Sequence, residues 1–329
     1  MRRGDRARRV VSRVAAIDCG TNTIKLLVTD IEPGAGTQHD LLREMRIVRL
    51  GQDVDRTGRL AEEALLRVFA ATDEYAALIA EHTVDAVRFV ATSAARDASN
   101  SDVFVQGVRQ RLGIDPEVVG GDVEAQLSYD GATRSLPEVP VPVAVLDIGG
   151  GSTELILGEP ATGGDPRAHG HVSSAWSLDI GSVRVTERLM PSDPPTAAEV
   201  DAAAGMIDQA LDTLPSYGVH VGDAATLVGV AGTVTTVAAV LLGLEEWDRE
   251  RVHHASFPSA QVHDLVARIL AMTVTERQQI GVPAGRSDVI GAGALILDRV
   301  LRRTGTDRLL VSDSDILDGI AWSMAGSSG

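Results

Sequence analysis

One short pattern occurs twice in the chain. Val14–Val28 reads VAAIDCGTNTIKLLV and Val143–Leu157 reads VAVLDIGGGSTELIL. They align without a gap at an offset of 129 residues, placing Asp18 on Asp147, Gly20 on Gly149 and Thr23 on Ser152. In each copy an apolar run long enough for one buried strand breaks into an aspartate, glycine and hydroxyl residues, then turns apolar again. A strand–Asp–Gly–Ser/Thr–strand hairpin repeated at domain-sized spacing predicts two related α/β domains with their loops facing across a cleft.

The residue types in the pattern have defined chemical uses. Asp147, at a strand end, is an oxygen ligand suited to Mg²⁺. Gly149, Gly150 and Gly151 lack Cβ atoms, so the backbone can turn sharply and lie close to a ligand. Their amides can then converge on phosphate oxygens, and Ser152 and Thr153 add hydroxyl donors. A plain glycine-rich hairpin is the alternative for one copy taken alone. Two such loops can hold one phosphate chain and its metal from both sides. The first copy then contributes Thr21, Asn22, Thr23 and Lys25 as phosphate contacts and Asp18 as a further metal ligand.

Composition narrows the class. A length of 329 residues suits two domains, and a hydrophobic content of 44% supplies their cores. Aromatics are only 3%, so aliphatic and alanine packing must fill them. The single cysteine, Cys19, lies in an apolar strand end, reads as a small core residue and requires no oxidising compartment. No apolar run reaches the roughly 18 residues of a membrane span. No signal-peptide pattern follows the Arg-rich start, so a cytoplasmic location is expected. The net charge of −16 argues against non-specific nucleic-acid binding. A small polyanion needs only a local positive cleft, glycine amides and a metal. Lys25 is the one lysine beside 29 arginines.

The remaining segments alternate strand and helix, which gives α/β class. Residues 1–13 carry six arginines and are expected to be a disordered basic tail ahead of a fold starting near Val14. A strand is expected at Ile47–Leu50 and a helix over Leu60–Glu81. The strand Ala86–Val90 runs into Thr92, Ser93 and Arg96, which suit phosphate binding, although Ser93 could equally cap the next helix. A helix after Gly121 carries Glu124 in its first turn, where an acid is ordinarily just favourable with the helix dipole. Three prolines in Leu136–Val143 mark the boundary between domains 14–140 and 141–310. Two Gly-Ser/Thr turns, Gly181-Ser182 and Gly232-Thr233, precede helices and favour anions. Pro191–Pro195 should cap a helix running to about Leu214. His253-His254 reads as two solvent-facing side chains. The segment 311–329 should hold a capped helix that returns to the N-terminal domain.

Together these stretches resemble the exopolyphosphatase/guanosine pentaphosphate phosphohydrolase (Ppx/GppA) family, of the actin/sugar-kinase/heat-shock ATPase superfold with ribonuclease H-like domains. The matching motifs are DCGTNTIKL at 18–26, ATSAARDA at 91–98, GDVEA at 121–125, VLDIGGGSTEL at 145–155, SLDIGSVRVTE at 177–187, GVAGTVTT at 229–236, GRSDVIGAGALIL at 285–297 and SDSDILDGIAW at 312–322. They cover nearly the whole chain, in order. The resemblance implies that Glu124 is the base activating water, that Asp147 and Gly149–Ser152 hold metal and phosphate, and that Glu154 belongs to that site. Thr21 and Thr23 stand where the family more often has serines, and Val123 replaces the first of two glutamates. The length matches the short two-domain form, which lacks the extra helical C-terminal region.

The implied activity is Mg²⁺-dependent (or Mn²⁺-dependent) release of terminal phosphate from inorganic polyphosphate, by a homodimer. Guanosine pentaphosphate, a stringent-response nucleotide, is the alternative substrate. An ATP-using kinase of the same superfold and a non-catalytic polyphosphate or nucleotide sensor are readings of other classes. Arg96, Gly232 and Thr233 complete the expected phosphate contacts.

Overall fold

The computed structural model describes residues 11–161 and 170–325. Strands β1 (Ser12–Cys19), β2 (Thr23–Glu32), β3 (Thr37–Ile47), β4 (Ala86–Ala91) and β5 (Glu117–Val118) form one sheet in the order β3-β2-β1-β4-β5. Strands β6 (Val143–Ile148), β7 (Thr153–Glu159), β8 (His171–Leu178), β9 (Thr226–Val230), β10 (Ser256–Pro258) and β11 (Arg308–Val311) form a second, in the order β10-β11-β9-β6-β7-β8. Each repeat is an antiparallel hairpin, β1/β2 or β6/β7, extended on one side by a third antiparallel strand. On its other side each accepts a parallel strand, β4 or β9. The two-domain α/β reading therefore holds, with the same pairing scheme at the heart of each lobe.

β1 and β6 read as unbroken apolar runs because both faces of each sheet are covered. Ala15, Ile17 and Cys19 of β1 pack with Val68, Tyr75 and Phe104 of the helices Glu62–His82 and Ser101–Leu112. Val14 and Ala16 point the other way, to Leu317, Ile320 and Ala321 of the helix Ile316–Met324. In the second sheet Ala144, Leu146 and Ile148 pack among helices Ala197–Leu211, Ala231–Leu241 and Ile290–Thr304. Val143 and Val145 meet Ala125, Tyr129 and Ala132 of the helix Gly121–Thr133. Two helices are thus exchanged. Gly121–Thr133 follows the first sheet in sequence but covers the second, and Ile316–Met324 follows the second but covers the first. They cross at glycines. A Cβ on Gly131 would sit 1.9 Å from the Asp315 carbonyl oxygen, and one on Gly319 would sit 2.0 Å from the Leu127 carbonyl oxygen.

Several local expectations change. The first strand begins at Ser12, not Val14. Ser12 pairs with Ile31, and the Arg13 guanidinium donates to both oxygens of Asp30 at 2.7 and 3.0 Å. Residues 1–10 of the expected tail lie outside the described residues. The strand expected at Ile47–Leu50 is only the end of β3, which stops at Ile47 because the Val48 and Arg49 amides both turn to the Asn22 carbonyl, at 3.0 and 2.9 Å. Ser93 caps nothing. The cap position is Thr92, and the Ser93 hydroxyl is shared with Thr21 at 2.9 Å. Thr196, not the proline segment, caps the next helix, through a reciprocal box with Glu199, and that helix ends at Leu211. His253 and His254 are half-buried rather than solvent-facing. A φ of 63° at His254 breaks regular backbone, and the rings stack 3.7 Å apart. Cys19 is buried, as expected. Among the described residues no helix is long and apolar enough to cross a membrane.

The helix crossing yields a test with a definite sign. Replacing a mid-helix glycine by alanine normally stabilises by about 1 kcal/mol. At Gly319 the new methyl meets backbone, which cannot rotate away, and such overpacking costs about 1–3 kcal/mol or more. Gly319→Ala should therefore lower the melting temperature in scanning calorimetry. A rise would mean that the helices do not touch there.

Candidate active site

The loops that end β1 and β6 meet. A Cβ on Gly151 would fall 2.7 Å from Thr21 Oγ1 and 2.8 Å from Ser93 Oγ, and one on Gly150 would fall 3.0 Å from the Thr21 Cβ. Only glycine lets the two backbones approach this closely. A cleft of about 80 Å³ opens beside them, room for a phosphoryl group and a few waters. Asp18, Thr21, Asn22, Thr23, Lys25 and Ser93 line it from the first lobe. Asp147, Gly149, Gly150, Ser152 and Glu154 line it from the second, with Gly232 and Thr233 at the start of the helix Ala231–Leu241. Glu124 joins from the exchanged helix.

Three predicted contacts lie elsewhere. Gly151 supports the loop contact without lining the cleft. Thr153 begins β7, and its hydroxyl donates to the Ile180 carbonyl at 2.5 Å. Arg96 is spent on protein groups. Its Nη1 donates to Glu124 Oε2 at 3.0 Å and to the Val119 carbonyl at 3.1 Å.

The hairpin register sets the charges. Asp18 stands opposite Lys25 across β1/β2, and Asp147 stands opposite Glu154 across β6/β7. Lys25 Nζ lies 3.7 Å from Asp18 and 2.5 Å from Asp315, whose own carboxylate caps the exchanged helix at the Leu317 amide. Ser128 donates to Asp147 Oδ2 at 2.8 Å, and Ser177 donates to Glu154 Oε1 at 2.6 Å. Burial raises the Asp18 carboxyl to about 7 although Lys25 opposes it. Burial raises Glu124 to about 7 against the pull of Arg96. Asp147 is raised to about 6, by burial and then by the charge of Asp315. Glu154 is pushed well above its usual range by burial, Glu124 and Asp147. Asp315 goes the other way. Lys25 and Arg43 overcome its burial and hold it below the ordinary carboxylate range.

A cleft that raises four acids in this way favours neutralisation by protons or by a cation. Among the described residues no three His, Cys, Asp or Glu side chains converge on one metal position. That suits Mg²⁺, which takes one or two carboxylates and fills its octahedron with water and phosphate oxygens. The opposite wall suits anions. It combines the glycine loop, the first turn of the helix Ala231–Leu241, Ser182 at the start of another helix, and Arg286. Gly232 leaves space for that arginine, since a Cβ there would lie 1.4 Å from Arg286 Nη1.

Sequence reasoning missed Ser128, Ser177, Asp315 and Arg286, whereas the Gly181-Ser182 turn was read as favouring anions. Ser128 had a legible signal, since it lies four residues after Glu124 and shares its helix face. Asp315 and Arg286 sit in recognised motifs. Ser177 is brought to Glu154 only by the β7/β8 pairing, where the two stand opposite.

The fold recurs in known proteins. The family model for the Ppx/GppA phosphatase family matches residues 27–328. An Exopolyphosphatase 2 from Mycobacterium tuberculosis is 43% identical over 96% of this chain and 99% of its own length. A crystal structure of an exopolyphosphatase-like protein superposes with a TM-score of 0.89 at 40% identity, covering 95% of this chain and 97% of that one. The Aquifex aeolicus Ppx/GppA family member superposes with a TM-score of 0.76 at 31% identity, covering 95% and 97%. A match across most of the chain at such identity settles the family: this chain belongs to the Ppx/GppA phosphatases.

Proposed function

We propose that the chain is an exopolyphosphatase, removing terminal orthophosphate from inorganic polyphosphate by attack of water. The observation that supports this most is the position of Glu124. Its carboxylate is buried, oriented by Arg96, and borders the same small cleft as Gly149 and Gly150 of the glycine loop. A pKa raised to about 7 suits a base that must take a proton near neutral pH. Glycine amides, helix N-termini, Lys25 and Arg286 bind and orient the terminal phosphoryl group. Glu124 orients a water in line with the bridging oxygen and takes its proton as the P–O bond to the chain breaks. Asp147 and Glu154, with Asp18 nearby, are the residues that would hold Mg²⁺ (or Mn²⁺). When bound, the ion supplies neutralisation of the charge on the transferring phosphoryl oxygens. The same reading makes the protein a cytoplasmic homodimer.

One observation favours a second substrate. A largely apolar chamber of about 670 Å³ adjoins the cleft and shares Lys25, Gly232 and Arg286 with it. Leu244, Trp247 and Pro283 line it, which suits a nucleoside and hence guanosine pentaphosphate. A phosphate-release panel on polyphosphate and guanosine pentaphosphate, with and without Mg²⁺, ranks the two. Release without any acceptor excludes the kinase and sensor readings.

Glu124→Gln should cut turnover by about 10²–10⁴-fold, the cost of losing a positioned base. Gln keeps the shape and still holds the water, so affinity for polyphosphate should stay level or tighten. Near-normal turnover of the folded variant would remove Glu124 from this role.

Asp147→Asn keeps the Ser128 contact within reach and loses the charge. Both turnover and Mg²⁺ response should fall. An Mg²⁺ titration that superposes on that of the parent would take Asp147 out of the metal site.

A further inference from the structure

A second cavity, of about 230 Å³ and mostly apolar in its lining, shares no residue with the cleft. It lies between the segment Glu187–Asp193 and the start of the helix Ile290–Thr304. Arg277, only 3% exposed, lines it. Its Nε donates to the Ile269 carbonyl at 3.0 Å and its Nη1 to the Ser287 carbonyl at 3.1 Å. The third nitrogen, Nη2, is buried without a hydrogen-bond partner. The guanidinium rests on the first helical turn, where a Cβ on Gly291 would stand 3.3 Å from Nη2. First-turn amides of an α-helix have no internal acceptors and favour negative charge. Asp288 lines the same cavity. Its Oδ2 pairs with Arg49 at 2.9 Å, while its Oδ1 is buried and unpartnered.

Arg277 and Asp288 line one cavity, and each has a buried atom without a partner, which carries a desolvation cost. A simple anion satisfies Arg277 but meets the Asp288 oxygen with a lone pair, while the Ile290 and Gly293 amides are already taken by the Arg286 and Val289 carbonyls. A simple cation has the reverse problem. One tetrahedral group answers both, because hydrogen phosphate accepts through its bare oxygens and donates through its P–OH. Sulfate, unprotonated near neutral pH, can only accept. Of the other lining carboxylates, Asp193 Oδ1 accepts from the Val274 amide at 2.8 Å, and burial raises the Glu187 carboxyl above its usual range.

We propose that this cavity is a second binding site, selective for hydrogen phosphate over sulfate. Its ligand is the product of the hydrolysis proposed above, and only that assignment of source rests on the hydrolase reading. Asp288 lies two residues beyond Arg286 of the cleft and pairs with Arg49 of the other lobe, so the site adjoins both the catalytic wall and the lobe contact.

Crystals of the full chain soaked in arsenate, whose protonation follows that of phosphate, should show an anomalous peak within hydrogen-bonding reach of Arg277 Nη2. Calorimetric titration should give phosphate binding at this site about 10–100-fold tighter than sulfate, the cost of one unmet buried acceptor. Asp288→Asn should erase that preference while the protein folds and basal turnover persists. Arg277→Lys should weaken both anions. A peak confined to the cleft, or a preference that survives Asp288→Asn, overturns the proposal. Phosphate release from polyphosphate, measured on the same preparations, separates the two readings. Active enzyme without the cavity peak sinks the second site alone, and a cavity peak in inactive enzyme sinks the hydrolase alone.

Discussion

The active cleft depends on a helix crossing that only glycine permits. Gly131 and Gly319 bring the helices Gly121–Thr133 and Ile316–Met324 into backbone contact. Each helix covers the sheet of the opposite lobe, so neither core is complete without the other. The same helices carry chemistry. Glu124 lies in the first turn of one, and Asp315 caps the other while holding Lys25. The depth of the crossing therefore sets how far Glu124 stands from the glycine loop. A side chain at the crossing would displace Glu124 together with the core.

Duplication supplied the frame, and divergence supplied the asymmetry. Both hairpins put an aspartate at the strand end with a charged residue directly opposite, and that residue is Lys25 in one copy and Glu154 in the other. The first copy is largely neutralised internally, since Lys25 lies between Asp18 and Asp315. The second has two acids, and among the described residues no basic side chain forms an ion pair with either. Ser128 donates to Asp147 and Ser177 to Glu154. Burying such a pair without compensation is expensive. The uncompensated acidic pair of the cleft therefore lies in the second lobe, beside that lobe's own glycine loop and helix N-termini.

Much of this was legible because it rests on local rules. Gap-free repetition of an apolar run, an aspartate and small residues predicts two matching hairpins, and both sheets contain them with the same register. Glu124 was legible only through resemblance, because its local signal is that of any first-turn acid. The misses have a common origin. Arg96 sits at a strand end with the chemistry to bind phosphate, but which partner it takes is fixed by a helix that begins 25 residues later. Thr153 looks like Ser152 in sequence, yet strand alternation turns it to the opposite face. The helix exchange is equally invisible locally. An amphipathic helix shows that it covers something and does not say which sheet.

The remaining question is what holds the lobes at this separation. Ion pairs bridge them at the surface: Arg184 with Asp97 at 2.8 Å, Arg49 with Asp288 at 2.9 Å, Arg188 with Asp55, and Arg249 with Asp40 at 3.5 Å. Most of these groups are at least partly solvated, and exposed pairs contribute about 0–1 kcal/mol each and weaken with salt. They orient the lobes more than they bind them. The stiffer constraint is steric. The Thr21 side chain lies against Gly150 and Gly151, and Gly181 lies on the Gly150 backbone, where a Cβ would approach to 2.4 Å. Packing at such contacts is close to incompressible. The loops that would cradle phosphate are therefore also the stop that limits how closely the lobes approach.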